Sequence, residues 1–180
     1  MARLPYLTPD DLDPEDRDLL KRDINLSKIT AYAPGGARAF NGLGGWIRSS
    51  STLDSRLREM AILRVGVLAR ADYEYAHHIE LGMQFGMSEA EVRAVAEGPG
   101  AAGLGEIEEL VLRAADEITL DGAMAADTFA ALHRHLDGEQ MVEFTLAVSY
   151  YNAVTRFLKT FEIDVEDDYL HYLTDFPYSD

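Results

Sequence analysis

Apolar positions recur along this chain three and four residues apart, the spacing of helices that bury one face. Residues 53–68 carry Leu57, Met60, Ala61, Leu63, Val67 and Leu68 and read as a mostly buried helix. The stretch Ala69-Arg70-Ala71-Asp72 interrupts that pattern. Asp72 is a natural N-cap, and a second helix is expected from Tyr73 to Phe85, with Gly86 as its stop. Ser88 and Glu91 have the spacing of a capping box, opening a short helix that ends before Gly98-Pro99-Gly100. Ile107, Leu110, Val111, Ala114 and Ile118 share one face of an amphipathic helix. Asp127 is placed to cap a helix reaching Leu136. Asp137 is placed to cap a long one from Gly138 to Phe161, apolar around much of its circumference and so expected in a core or at a subunit interface.

Upstream the signal is softer. Residues 33–51 are rich in Gly and Ser, yet Phe40, Leu43, Trp46 and Ile47 keep helical spacing, so a glycine-softened helix is expected there, with Phe40 and Trp46 in the core. Pro5, Pro9 and Pro14 leave residues 1–20 as an irregular arm in which Asp13-Pro14-Glu15 can start a short helix. No stretch alternates like a strand between hairpin turns. The fold class is all-α.

Length and composition narrow this further. At 180 residues and 47% hydrophobic, the chain suits a single domain over 1–180 with a real core, the N-terminal arm and an acidic C-terminal tail over 165–180. Sixteen Lys and Arg against 32 Asp and Glu give a net charge of −16, which argues against nucleic-acid partners and means that an anionic substrate needs locally placed arginines. No apolar run approaches the roughly 18 residues of a membrane span, and the first residues lack the apolar core of a signal peptide, so no membrane association and a cytoplasmic location are expected. The chain contains no cysteine, which removes disulfides, thiolate nucleophiles and cysteine-bound metals together.

The candidate chemistry lies in Ala71-Asp72-Tyr73-Glu74-Tyr75-Ala76-His77-His78-Ile79-Glu80. Glu74 and His78 are four apart and so neighbours on one helix face. Glu59 stands in an apolar run, where a carboxylate needs a partner, and an antiparallel helix pair would return it to the start of the second helix. Two carboxylates and an imidazole in one pocket form a proton-transfer set, with Glu59, Glu74 and His78 as the candidate catalytic residues. Three other readings stay open at this point: a solvated helix face, a non-catalytic binding protein, and a metal site drawn from Glu59, Glu74, His77 and His78. The last lacks the His-Glu-x-x-His spacing, so neither a metal nor a cofactor is expected. Tyr73, Tyr75 and His77 flank the pair as possible substrate contacts. Tyr151 and Asn152, beside Tyr150 on the last long helix, are others. Arg156 is expected to pair with a surface acid, and His133 and His135 to lie at the surface. A faint echo links Glu59 and Glu143, each a carboxylate inside an apolar helix.

The segment from Ser55 to Val95 resembles the carboxymuconolactone decarboxylase family, which includes the alkylhydroperoxidase D branch. The resemblance rests on Arg58-Glu59 opening an apolar helix, on His78 and Gly82 in the next, and on Gly86-Met87-Ser88 with Glu91; residues 150–166 resemble the closing helix of longer members. It implies an all-helical bundle, a homo-oligomer (trimer or hexamer), and a small-molecule substrate. The peroxidase branch places a Cys pair where this chain has Ala71 and Glu74. Thiol peroxidase chemistry is therefore excluded here, and Glu74 in a thiol position points to acid/base work in a thiol-free subgroup. The expectation is a cofactor-independent enzyme of lyase or isomerase type acting on a small organic acid, lactone or ketone, by decarboxylation, isomerisation or elimination.

Overall fold

The computed structural model describes residues 2–178; residues 1, 179 and 180, at the ends of the expected arm and tail, lie outside the described residues. Helices α1 (Asn25–Thr30), α2 (Pro34–Ser49), α3 (Ser55–Leu68), α4 (Asp72–Gln84), α5 (Glu89–Glu97), α6 (Glu106–Leu120), α7 (Ala126–Leu132), α8 (Gly138–Phe161) and α9 (Leu170–Asp175) follow one another, with no strand among the described residues. No described helix is long and apolar enough to cross a membrane.

The hub is α3, which packs on α4, α5, α6 and α8 and is buried from Leu57 through Gly66. Its start is fixed twice. Asp54 caps it by accepting from the Leu57 amide at 3.0 Å, and Glu143 reaches across from α8 to accept from the Thr52 and Leu53 amides. Burial pushes the Glu143 carboxyl up, but the bonds from Thr52 outweigh it and hold the pKa below the ordinary value. The echo between Glu59 and Glu143 is thus one of sequence only, since Glu143 serves a helix start.

The turn from α3 to α4 is tight. Arg70 takes a left-handed conformation (φ 50°), and the absence of a side chain at Gly66 lets the Tyr75 backbone approach; a Cβ there would stand 3.3 Å from the Tyr75 nitrogen. This brings α4 back antiparallel onto α3. Asp72 is the first residue of α4 rather than its cap: Ala71 is the N-cap, and the Asp72 carboxylate accepts from the Tyr178 hydroxyl instead. The Ser88–Glu91 capping box and the Asp137 cap form as expected, the latter accepting from the Gln140 amide at 2.9 Å. Gly86, at φ 93°, ends the turn after α4 in the left-handed region. Asp127 sits inside α7, which starts after Ala125 and stops at Leu132, short of Leu136.

Two expectations change, the first for Trp46, since Phe40 does pack against the core. In α2 the buried residues are Ala37, Gly44 and Ile47, while Trp46 and Leu43 are exposed and Phe40 is half-buried. The small residues mark the packed face because Tyr150 of α8 lies against Gly44. The second concerns residues 165–178, which do not trail away as a tail. Asp167–Tyr169 forms a 3-10 turn, α9 packs on α4, Phe176 is buried, and the Tyr178 ring meets the Tyr75 ring edge-on at 4.8 Å. The N-terminal arm holds two 3-10 turns, Pro9–Asp11 and Arg17–Leu20, and its Arg3 amide donates to the Phe161 carbonyl at 2.8 Å.

Candidate active site

Antiparallel α3 and α4 put Glu59 opposite His78. The Nδ1 of His78 lies 2.6 Å from Glu59 Oε2, and its Nε2 lies 2.8 Å from Glu74 Oε1, the neighbour one helical turn back. Arg58 Nε donates to the other Glu59 oxygen at 3.1 Å. All four side chains are buried. An imidazole with a carboxylate on each nitrogen is best satisfied as the cation, because both nitrogens then donate. Burial alone would lower the His78 pKa; Glu74 and Glu59 more than offset it and raise it from 6.5 to about 9. Burial likewise pushes Glu59 up, but His78 and Arg58 prevail and hold it below the ordinary 4.5.

One side of this cluster opens on a small pocket of about 60 Å³. Glu74 and His78 meet there with Tyr73, His77, Tyr151 and Arg48. The Tyr151 ring stands edge-on to His78 at 4.9 Å, and its hydroxyl accepts from Arg48 Nη1 at 3.3 Å. Burial, with Glu74 nearby, raises the Tyr151 pKa well above the usual phenol range, so the hydroxyl stays protonated.

His77 lies roughly 100° further round α4; it borders the same pocket, but its ring nitrogen turns to the C-terminal segment. Its Nε2 lies 2.6 Å from Glu166 Oε2, and its ring is stacked between Tyr73 at 4.4 Å and Tyr169 at 3.7 Å. Glu166 also accepts from the Tyr73 hydroxyl at 3.0 Å and the Asn25 amide at 2.6 Å. Burial raises the Glu166 pKa and these bonds, led by His77, bring it below the ordinary value. The supposed tail therefore forms part of the pocket's support.

Of the residues singled out in the sequence, Glu59, Glu74 and His78 form one buried cluster, and Tyr73, His77 and Tyr151 surround its open side. Two do not join them. Tyr75 faces Tyr178 on the far side of α4, its hydroxyl without a hydrogen bond among the described residues. Asn152 donates to Thr119 Oγ1 of α6 at 2.9 Å and to the Val148 carbonyl, away from the pocket. Arg156 bonds Asn152 rather than a surface acid. His133 and His135 are exposed. Sequence reasoning missed Arg22, Arg48 and Glu166. The only signal available was that an acidic chain with an anionic ligand needs arginines somewhere. Among the described residues, no group of three or more His, Asp or Glu is arranged to hold a metal ion.

The model of the carboxymuconolactone decarboxylase family matches residues 34–117, from α2 into α6. No curated protein matches the chain. Among solved structures, the chain is similar to an uncharacterized peroxidase-related protein of the alkylhydroperoxidase AhpD core from Ralstonia eutropha JMP134, at TM-score 0.81 and 16% identity over 99% of this chain and 98% of that one. It is also similar to the debrominase Bmp8, solved as a Cys→Ala variant with 2,3,4-tribromopyrrole, at TM-score 0.80 and 19% identity over 98% and 100%. An AhpD-type protein from Agrobacterium tumefaciens matches at TM-score 0.70 and 22% identity over 77% and 95%. At these identities the likeness establishes the fold, the all-helical bundle expected from the sequence.

Proposed function

We propose, for a chain whose residues 34–117 match the model of the carboxymuconolactone decarboxylase family, a cofactor-free acid/base enzyme that moves a proton on a small organic acid, lactone or ketone. The observation that carries this reading is His78 held between Glu59 and Glu74 where Glu74 borders a pocket. With a pKa of about 9, His78 is an imidazolium at neutral pH, both of its N–H groups engaged. The ring is then the acid of the pair. Glu74, the carboxylate at the pocket, takes the proton from carbon, and the electron pair left behind moves onto the substrate's carbonyl oxygen as an enolate. The adjacent imidazolium stabilises that negative charge, while Glu59 and Arg58 fix the ring. Isomerisation and elimination begin with such a proton removed; decarboxylation ends with one returned to carbon. The same pair serves each.

The chain has no thiol, so peroxide reduction through a cysteine has no nucleophile here. Exposed Leu43 and Trp46 on α2, with Val142 and Leu146 on α8, offer apolar surface that a homo-oligomer would cover; a trimer or hexamer is what the family resemblance implies.

Solvent exchange tests the reaction. Full-length protein is incubated in D₂O with a panel of small keto acids, lactones and ketones, and loss of the acidic C–H signal is followed by NMR. Accelerated exchange of a panel member is expected, with Glu74→Gln slower by about 10²–10⁴-fold. Equal rates for wild type and Glu74→Gln across the whole panel would sink the reading.

A further inference from the structure

A larger cleft of about 480 Å³ opens beside the pocket and shares with it Arg22, Ile24, Leu26, Arg48 and Tyr150. The pocket itself, at about 60 Å³, holds a functional group of a few atoms and not a whole substrate. A molecule reacting at Glu74 must therefore extend past Arg22 and Arg48 into the cleft.

The charges lining that path are uneven. The chain carries −16 overall, and a field of that sign disfavours anions. Most basic residues are spent on carboxylates: Arg38, at the cleft's edge, is held by Asp16 at 3.0 Å and Asp18 at 2.9 Å. Arg22 and Arg48 differ. Neither has a carboxylate within ion-pair reach among the described residues. Arg22 is exposed at the cleft, while Arg48 is half-buried and, among the described residues, donates to the neutral Tyr151 hydroxyl at 3.3 Å. The nearest acid on the pocket side, Glu74, is committed to His78. A half-desolvated guanidinium with unused donors beside a second guanidinium is matched by a ligand that brings two acceptor oxygens.

We propose that the cleft is a carboxylate-binding site in which Arg22 and Arg48 grip the anionic end of the substrate while its reacting carbon enters the pocket at Glu74. This selects organic acids over neutral lactones and ketones. The placement of the reacting carbon rests on the acid/base reading; the anion site stands on the arginines alone.

Binding of succinate and benzoate to the full-length protein, measured by calorimetry beside their neutral isosteres succinamide and benzamide, tests this. The carboxylates are expected to bind and the amides not. Arg48→Gln and Arg22→Gln should each weaken carboxylate binding at least tenfold, and Arg22, being exposed, can be exchanged without disturbing the fold. Glu74→Gln should keep the binding. Amides that bind as well as the carboxylates, or a doubly substituted protein that binds like wild type, would overturn the proposal. If carboxylates bind through the arginines but no panel member exchanges its proton, only the reaction fails. If a neutral ketone exchanges while carboxylates do not bind, only the anion site does.

Discussion

Glu59 Oε2 and His78 Nδ1 lie 2.6 Å apart in a buried ion pair joining α3 to α4. Such a pair is costly to half-remove, because the surviving charge stays buried without its partner. Glu59→Gln is therefore expected to destabilise the protein by about 3–5 kcal/mol in urea titrations. A loss below about 1 kcal/mol would mean that the pair is not buried as described.

The same pair fixes how stability varies with pH. His78 is raised above its unfolded value of 6.5, so its contribution is complete below that pH and is lost as pH rises through about 9. Glu59 is lowered below 4.5, so its share is present above that value and lost on acidification. Urea midpoints should be highest between about pH 4.5 and 6.5 as far as this pair is concerned. The unfolding free energy should fall on the alkaline side by an amount on the order of 3 kcal/mol. His78→Gln should flatten the alkaline limb.

Tyr75→Phe removes a buried hydroxyl that has no hydrogen bond among the described residues, and burial has already pushed its pKa up to about 12. Deleting an unsatisfied polar group is neutral or stabilising, by up to about 1 kcal/mol. Thermal melting should show an unchanged or higher Tm, and binding of small carboxylates should be unaffected. A clear drop in either would return Tyr75 to the site.

Gly44→Ala would place a Cβ 2.8 Å from the Cζ of Tyr150, which borders both the pocket and the cleft. The ring must shift, at a cost of about 1–3 kcal/mol. NMR shifts of Tyr150 and Tyr151 should move together with a lower urea midpoint. An unperturbed spectrum would show that α2 and α8 are not in contact there.

Glu166→Gln keeps the shape but removes the charge that ties Asn25, Tyr73 and His77 to the C-terminal segment. The expected loss is about 1–3 kcal/mol. Amide hydrogen exchange should quicken at residues 25–27 and 167–175 while α3 stays protected. Unchanged exchange in those two segments would leave Glu166 without a tethering role.

What could be read from sequence followed from distance along the chain. Helical spacing defined α3, α4, α6 and α8, and the caps at Ser88 and Asp137 involve groups three residues apart. Glu74 and His78 are neighbours for the same reason. Where local rules compete, reading failed: Asp72 and Asp127 are both acceptable caps and lie inside their helices, and the apolar stripe of α2 was right for Ile47 but misplaced Trp46, because glycine, without hydropathy, marks part of the packed face.

The amino-acid order alone determined the helical class, the lack of any thiol and the adjacency of Glu74 to His78, since each is settled within a turn of chain or by composition. Tertiary structure alone decided that His78 has a carboxylate on each ring nitrogen, that Arg48 reaches Tyr151 across 103 positions, and that Glu166 closes on His77 across 89. Those meetings depend on how α2, α8 and the C-terminal segment pack around α3 and α4. No periodicity within any one of them records where the others will lie.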